Sequence, residues 1–245
     1  SFLNIFLDFT LILYFKAGVA GAALATVTSQ TVSGLACLVY MRKKYAILRT
    51  SKEERRLDGR SCRTLCMMGI PMGLQYSITA IGSLVIQATM NGFGSVAVAG
   101  ATAANRINGF LTCPIEALGA SMAPYVGQNL GAGKLDRVSR GVIDASLCGF
   151  VSSGVLYVII WLYGAQLTGI FLDAPDPAVT AYAVEFLRIV GAGYCLLTLV
   201  NVVRFSIQGL GFSVLAILSG VMEMIARCFA GLVIAPHIGF AAVAM

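Results

Sequence analysis

Long apolar runs, separated by short polar connections, cover most of this chain. The charge-free runs comprise residues 17–41, 66–105, 145–172, 189–203 and 205–222. Most of them have the ~18 residues that a helix needs to cross a bilayer, and 66–105 is long enough for more than one crossing. None shows the alternation of a half-buried strand. Because lipid offers no hydrogen-bond partners to the backbone, the pattern predicts an all-α membrane protein, a polytopic helical bundle.

The positions of these runs predict seven spans. The first ends near Phe15, and the other six cover about 18–41, 67–91, 95–126, 141–163, 180–203 and 212–235. The chain is 58% hydrophobic and only 11% charged. Soluble domains carry about 25% charged residues, so the composition also favours a membrane protein.

Positive charge is concentrated in the connection between the second and third spans. Nine of the seventeen Lys and Arg lie within residues 42–63, and the three acids there leave a net charge of +6, equal to that of the whole chain. An excess of Lys and Arg is typical of cytoplasmic loops, which predicts a multi-pass protein of the cell membrane with loop 42–66 in the cytoplasm. Such a segment also suits anionic membrane lipid. It lacks the aromatic residues and modules of nucleic-acid-binding proteins, so no nucleic-acid partner is expected.

The segment VGQNLGAGKL (126–135) comes close to a phosphate-binding P-loop. Gln128 occupies the position of the first required Gly, and Leu135 that of the Mg²⁺-binding hydroxyl. We expect instead a tight turn after the fourth span, with flexibility from Gly127, Gly131 and Gly133 and with Lys134 as a cytoplasmic anchor. The chain shows no catalytic triad, paired acids or metal-ligand motif, so neither an enzyme nor a bound cofactor or metal is expected.

The two ends of the chain are weakly alike. KAGVAGAAL (16–24) aligns with HIGFAAVAM (237–245) at an offset of 221 residues. Six predicted spans separate the two points, so the copies would have the same orientation, as in transporters built from parallel repeats. On this hypothesis the sequence is a fragment that begins near the end of one half and stops near the end of the other.

Ionisable residues inside spans are costly and therefore mark candidate functional sites. Asn4 and Asp8 are four residues apart, which puts a carboxylate and an amide oxygen on one helix face. This pair suits Na⁺ or a titrating proton, although a water-facing polar pair at a helix end has the same pattern.

Two further pairs combine opposite charges. Glu223 and Arg227 are spaced i, i+4 in the seventh span, and an ion pair that fixes helix packing is the simpler interpretation. Glu185 and Arg188 have i, i+3 spacing near the outer end of the sixth span, where we expect a solvated pair.

Other polar residues are candidates for a substrate cavity or for coupling. Glu116 follows Pro114 in the fourth span, where a kink would free a carbonyl. The remaining candidates of this kind are Asn105 and Arg106 in the fourth span and Gln75 and Tyr76 after Pro71 in the third. Cross-linking of neighbouring helices is the alternative role for Gln75 and for Asn201.

Four segments together resemble the multidrug and toxic compound extrusion (MATE) transporters: GVAGAALATVTSQ, GIPMGLQYS, GSVAVAGATAANRI and PIEALGASMAPYVGQNLGAGK. The resemblance implies twelve helices in two six-helix lobes, and export of organic cations and drugs in exchange for Na⁺ or H⁺. It implies that residues 1–41 are helices five and six at the end of the first lobe. Residues 42–66 would then be the basic loop, and residues 67–245 helices seven to eleven and the start of twelve.

The resemblance also implies a cation site. Asn4, Asp8 and Thr26 match the residues that helices five and six contribute in members with a first-lobe site, which also need an Asp from helix one. Phe9 replaces the Pro that usually follows the helix-five Asp. Acids that other members carry in helices seven and ten are missing around Thr79 and Leu197. The implied mechanism is alternating access, with a lipid-linked oligosaccharide flippase and a non-transport receptor or scaffold as the alternatives.

Overall fold

The structure is a computed structural model that describes residues 2–45, 58–171 and 176–240. Within these ranges the regular structure is helical, without a strand. The chain forms two compact units, Ser1–Gly59 and Arg60–Met245, which divide inside the predicted loop 42–66. Residues 46–57 of this loop lie outside the described residues. The same holds for residues 241–245 of the aligned C-terminal repeat.

The first unit is a helical hairpin. Helix α1 (Phe2–Asp8) continues as a π-helical segment, Phe9–Tyr14, and α2 spans Gly18–Lys44. The tight connection contains Lys16 and Gly18, both with positive φ. The hairpin therefore turns where the sequence predicts the boundary between the first two spans.

The second unit contains the remaining helices. They are α3 (Gly59–Asn91), α4 (Ser95–Gly131), α5 (Leu135–Phe171), α6 (Pro177–Ala192), α7 (Tyr194–Gly209), α8 (Ser213–Phe229), a π-helical segment (Ala230–Ile234) and α9 (Ala235–Ile238). Four stretches in the described part of the chain are long and apolar enough to cross a membrane, namely 18–44, 59–91, 135–170 and 213–237. The pair α6–α7 makes a fifth if it counts as one bent span.

Helix α4 lies at the centre of the second unit and packs against α5, α6 and α7. One face is buried almost from end to end, by residues that include Ala97, Ala104, Ile115, Met122 and Val126. At Gly100 the backbone of α6 comes so close that an added Cβ would lie 2.8 Å from the carbonyl oxygen of Val179. A small residue here allows α4 and α6 to approach without lipid or side chains between them.

The sixth predicted span corresponds to two helices, α6 and α7, which together make one bent span. Helices α6 and α7 are bent by 49° at Gly193. The Gly193 N–H donates to the carbonyl oxygen of Val190 over 2.9 Å, which tightens the last turn of α6. Tyr194 then starts α7, and its buried hydroxyl donates to Oδ1 of Asn108 over 2.7 Å. This hydrogen bond to α4 fixes the bend.

The exit turn predicted for VGQNLGAGKL is shorter than expected. Helix α4 continues through Gly127 to Gly131, and α5 already starts at Leu135. Of the three glycines, Gly133 has the positive φ, +69°, that the turn requires. A P-loop joins a strand to a helix, whereas this segment joins two helices. It therefore forms a turn, as predicted, but with one turn-forming glycine instead of three.

Candidate functional site

Helix α4 carries a row of polar residues on the face opposite its buried one. Thr102, Asn105, Arg106 and Glu116 all lie exposed on this face, and their spacing keeps them within about one quadrant of the helix. We call these four residues the α4 polar stripe. Helix α4 is as long as α5 but is not among the stretches apolar enough to be counted as spans by composition. Three of the predicted cavity residues, Asn105, Arg106 and Glu116, thus lie on the same face of α4.

Helices α3 and α8 run parallel and in close contact. Gly220 lies beside Gln75, Gly82 lies beside Met224 and Arg227, and the Thr89 hydroxyl is 3.4 Å from the carbonyl oxygen of Gly231. The residue numbers of the contacting positions increase in the same direction along both helices, so the two helices are parallel. This direction agrees with the predicted topology, in which the third and seventh spans both run outward.

A charged cluster joins α3, α7 and α8. Glu223 accepts from Nη2 of Arg204 over 3.0 Å with one carboxylate oxygen, and from Nη2 of Arg227 over 2.7 Å with the other. Arg204 also donates through Nε to Ser219 over 3.2 Å, and Arg227 donates through Nη1 to Ser83. We call these five residues the charged cluster. The predicted Glu223–Arg227 pair forms, and a second arginine gives the cluster a net charge of +1.

A polar layer continues from the charged cluster along α3 and α7. Nε2 of Gln208 donates to Oε1 of Gln75 over 3.1 Å, and the Gln75 side chain is almost fully buried. Gln75 thus cross-links two helices, which is the alternative role that the sequence analysis gave it. Two buried oxygens here, Oγ1 of Thr79 and Oε1 of Gln208, have no hydrogen-bond partner among the described residues. The hydrogen bonding of the layer is thus incomplete among the described residues.

An apolar groove opens beside the charged cluster, between α7 and α8. Its volume is about 300 Å³. The walls consist of five aliphatic side chains: Leu199, Val200, Val203, Ile207 and Leu215. Arg204 and Ser219 form its polar end. One guanidinium therefore belongs both to the cluster and to the groove.

The predicted cation residues lie in the first unit. Asn4 and Asp8 are half-buried on α1, and their spacing puts both on one side of a regular turn. Neither side chain forms a hydrogen bond or ion pair with another described residue. Thr26 lies exposed on α2, and its hydroxyl donates to the carbonyl oxygen of Ala22 over 2.9 Å. The joint role of the three residues stays a prediction.

The backbone changes its geometry at Asp8. The α-helix ends at this residue, and the next one, Phe9, starts the π-helical segment. Phe9 stands where the resemblance to MATE transporters implies a Pro. π-Helical insertions are rare and occur frequently at functional sites. The irregular geometry thus coincides with the candidate carboxylate.

Two predicted positions behave differently from expectation. Glu185 and Arg188 form no ion pair in the described structure; instead, the Arg188 guanidinium lies 5.4 Å from the centre of the Trp161 ring. A cation–π contact with α5 replaces the expected pair, because the bundle brings the indole within reach of the guanidinium. Tyr76 is 60% exposed, whereas its neighbour Gln75 is almost fully buried in the polar layer, and the role of Tyr76 in a substrate cavity stays a prediction.

Arg204 and Gln208 are the residues that sequence reasoning missed. In the sequence, Arg204 directly follows the predicted span 180–203. Its i, i+4 spacing to Gln208 was a usable pattern, and it matches the Ser219–Glu223–Arg227 spacing on α8. Only the packing of α7 against α8 shows that the two rows face each other.

Comparison with known proteins supports this architecture. The sequence profile of the MatE family matches residues 71–232, about two thirds of the chain. The probable multidrug resistance protein YpnP of Bacillus subtilis is 30% identical over 71% of this chain and 38% of its own length. The multidrug export protein MepA of Staphylococcus saprophyticus is 28% identical over 90% of the chain and 49% of its own length. The chain thus spans up to about half the length of the curated relatives it matches.

Solved structures show the same fold. An outward-facing multidrug resistance MATE family transporter superposes with a TM-score of 0.86 over 99% of this chain and 57% of its own, at 20% identity. A MATE crystal structure in complex with MaD3S gives a TM-score of 0.87 over 98% of this chain and 54% of its own, at 21% identity. These relatives carry names of multidrug resistance or export proteins or of MATE proteins. On the strength of its match to the family profile and of its membrane-length helices, the chain belongs to the MatE family of multi-pass membrane proteins.

Proposed function

We propose that the full-length protein exports small organic molecules, organic cations and other drugs among them, in exchange for Na⁺ or H⁺. The observation that carries this proposal is the α4 polar stripe. A helix at the centre of a membrane lobe exposes Asn105, Arg106 and Glu116 on one face, although ionisable groups are costly in contact with lipid. A water-filled substrate path along this face would meet that cost. The names of the relatives MepA and YpnP agree with an export function.

Asp8 is the proposed coupling residue. A half-buried carboxylate without a partner among the described side chains is free to take up Na⁺ or a proton, and the Asn4 amide oxygen one turn away would be a second ligand. Thr26 would add a hydroxyl oxygen. In this mechanism the cation binds from outside and biases the transporter towards one state, and the exported molecule binds better to the other. Coupling requires that each ligand have different affinities for the two states.

The flippase and receptor alternatives are less well supported. A flippase for a lipid-linked oligosaccharide should expose several Arg and Lys in its spans to bind pyrophosphate. Of the arginines Arg106, Arg204 and Arg227, the last two are already paired with Glu223. The relatives named above carry names of multidrug resistance or export proteins, not of receptors or scaffolds.

Drug resistance of a drug-sensitive bacterial strain tests the proposal. We expect the full-length protein to raise the inhibitory concentration of ethidium, and Asp8→Asn to abolish that rise at equal membrane abundance. Asp144→Asn is the matched control, because Asp144 is an exposed acid on α5 without an ion pair in the described structure. Undiminished resistance with Asp8→Asn would rule out Asp8 as the coupling residue. A wild-type protein that confers no resistance and no efflux would rule out the export function.

A further inference from the structure

The groove between α7 and α8 has the features of a ligand site that the proposed coupling does not use. Ligand sites are typically concave and apolar, with a few polar groups that fix orientation, and they range from about 300 to 1,000 Å³. The α7–α8 groove lies at the lower end of that range. Its aliphatic walls suit an aromatic or alkyl body, and its polar end contains a charged side chain.

The charge at this polar end favours an anion. Each carboxylate oxygen of Glu223 already accepts from an arginine, so that the negative charge of this residue is more than balanced by Arg204 and Arg227. Arg204 donates one hydrogen bond from Nε to Ser219 and one from Nη2 to Glu223. Its Nη1 has no hydrogen-bond partner in the described part of the chain. The guanidinium thus retains donors, in a cluster whose net charge is +1.

We propose that the α7–α8 groove binds a small amphipathic organic anion, with the carboxylate or sulfonate on Arg204 and the apolar body against Val203 and Leu215. The volume of the groove favours a single aromatic or alkyl body over a two-chain lipid. The Ser219 hydroxyl would accompany Arg204 at the anionic group. This inference extends the proposed export function to a second class of substrate, and its transport step rests on that function.

Equilibrium binding to the purified full-length protein tests the groove without any ion gradient. Dansylglycine and dansylcadaverine carry the same fluorophore but opposite charges. In phosphatidylcholine nanodiscs we expect dansylglycine to bind at least 10-fold more tightly than dansylcadaverine. Arg204→Met should remove this preference, and Arg204→Lys should keep part of it. Arg188→Met, which removes an arginine that lies on Trp161, should change neither affinity.

A second variant keeps the test decisive if Arg204→Met does not fold. Val203→Trp fills the groove without a change of charge, and it should weaken dansylglycine binding at least 10-fold. Unchanged dansylglycine affinity in Val203→Trp and in any folded Arg204→Met protein would overturn the proposal. So would displacement of dansylglycine by phosphatidylglycerol added to the nanodiscs, because the groove would then be a lipid site. Since binding is measured without transport, a failure of export would leave the binding result intact.

Discussion

The two units of this protein contain carboxylates in opposite situations. In the first unit, Asp8 is half-buried, has no partner among the described side chains and lies where an α-helix turns into a π-helix. In the second, Glu223 is held by two arginines at 2.7 and 3.0 Å and joins three helices through the charged cluster. An unpaired acid can exchange a cation, whereas a doubly paired one mainly fixes structure. On the proposed mechanism, the partners of a carboxylate, rather than its presence in a span, decide its role.

The largest effect on stability should come from removal of the Glu223 charge. Glu223→Gln leaves Arg204 and Arg227 close together without their shared partner. The network is partly buried, so we expect a loss of about 2 kcal/mol, between the values for exposed and for buried pairs, which lowers the melting temperature by a few degrees. Thermal unfolding of the detergent-solubilised full-length protein measures this. Asp8→Asn, at the other carboxylate, should leave the melting temperature within about 1 °C, because no partner loses a contact. Equal losses in both variants would remove the distinction between the two acids.

Replacement of the whole network should cost less than Glu223→Gln. The triple variant Arg204→Met, Glu223→Leu, Arg227→Met removes all three charges together, so that no ion is left unpaired. Buried ionic networks are often replaced by apolar residues with little change in stability, so we expect a loss below about 1 kcal/mol. Thermal unfolding in the same detergent checks this. A triple variant less stable than Glu223→Gln would show that the cluster itself stabilises the lobe.

Arg227→Met should have a smaller effect than Glu223→Gln. The Arg227 side chain is 37% exposed, and Glu223 keeps Arg204 when Arg227 is gone. We expect a loss of about 1 kcal/mol, as for a partly exposed pair. Arg204→Met should cost more, since Arg204 is 15% exposed and bonds to two residues of α8. The reverse order of the two melting temperatures would contradict this assignment of the main partner.

In the polar layer, the loss should be no larger than that of Arg227→Met. Gln75→Leu removes the acceptor of Gln208 Nε2 and leaves one buried donor unpaired, at a cost of about 1 kcal/mol. Gln75→Leu combined with Gln208→Leu removes both ends and should recover part of this loss. A double-mutant cycle of unfolding free energies measures the coupling. Strict additivity would show that the hydrogen bond contributes nothing.

The helices could be predicted from sequence because their ends have strong local signals. The boundary between α3 and α4 follows from the apolar runs around Gly92 and Gly94, and α4 starts at Ser95 as expected. The Glu223–Arg227 pair follows from helical spacing alone. The bend at Gly193 could not be predicted in the same way, because the buried Tyr194–Asn108 hydrogen bond between two helices holds it. The place of Arg204 beside Glu223 is likewise a result of packing.

The candidate cation site could be predicted only in part. The spacing of Asn4 and Asp8 puts both on one face of α1, and that much follows from helix geometry. The change to π-helical geometry after Asp8 has no pattern in the residues themselves beyond Phe9 in place of the usual Pro. Thr26 could be predicted as part of the site only from the family resemblance, because its distance from Asp8 along the chain does not indicate whether the two residues are in contact.

Gradient-driven transport in proteoliposomes tests the central claim most directly, namely that the unpaired Asp8 couples export to a cation. The full-length protein and its Asp8→Asn variant are reconstituted at equal density, and ethidium movement is followed after an imposed pH or Na⁺ gradient. The account predicts gradient-dependent ethidium transport by the unaltered protein and a reduction of at least about 10-fold in Asp8→Asn, as expected when an essential coupling interaction is lost. Equal gradient-dependent transport by both proteins would contradict it.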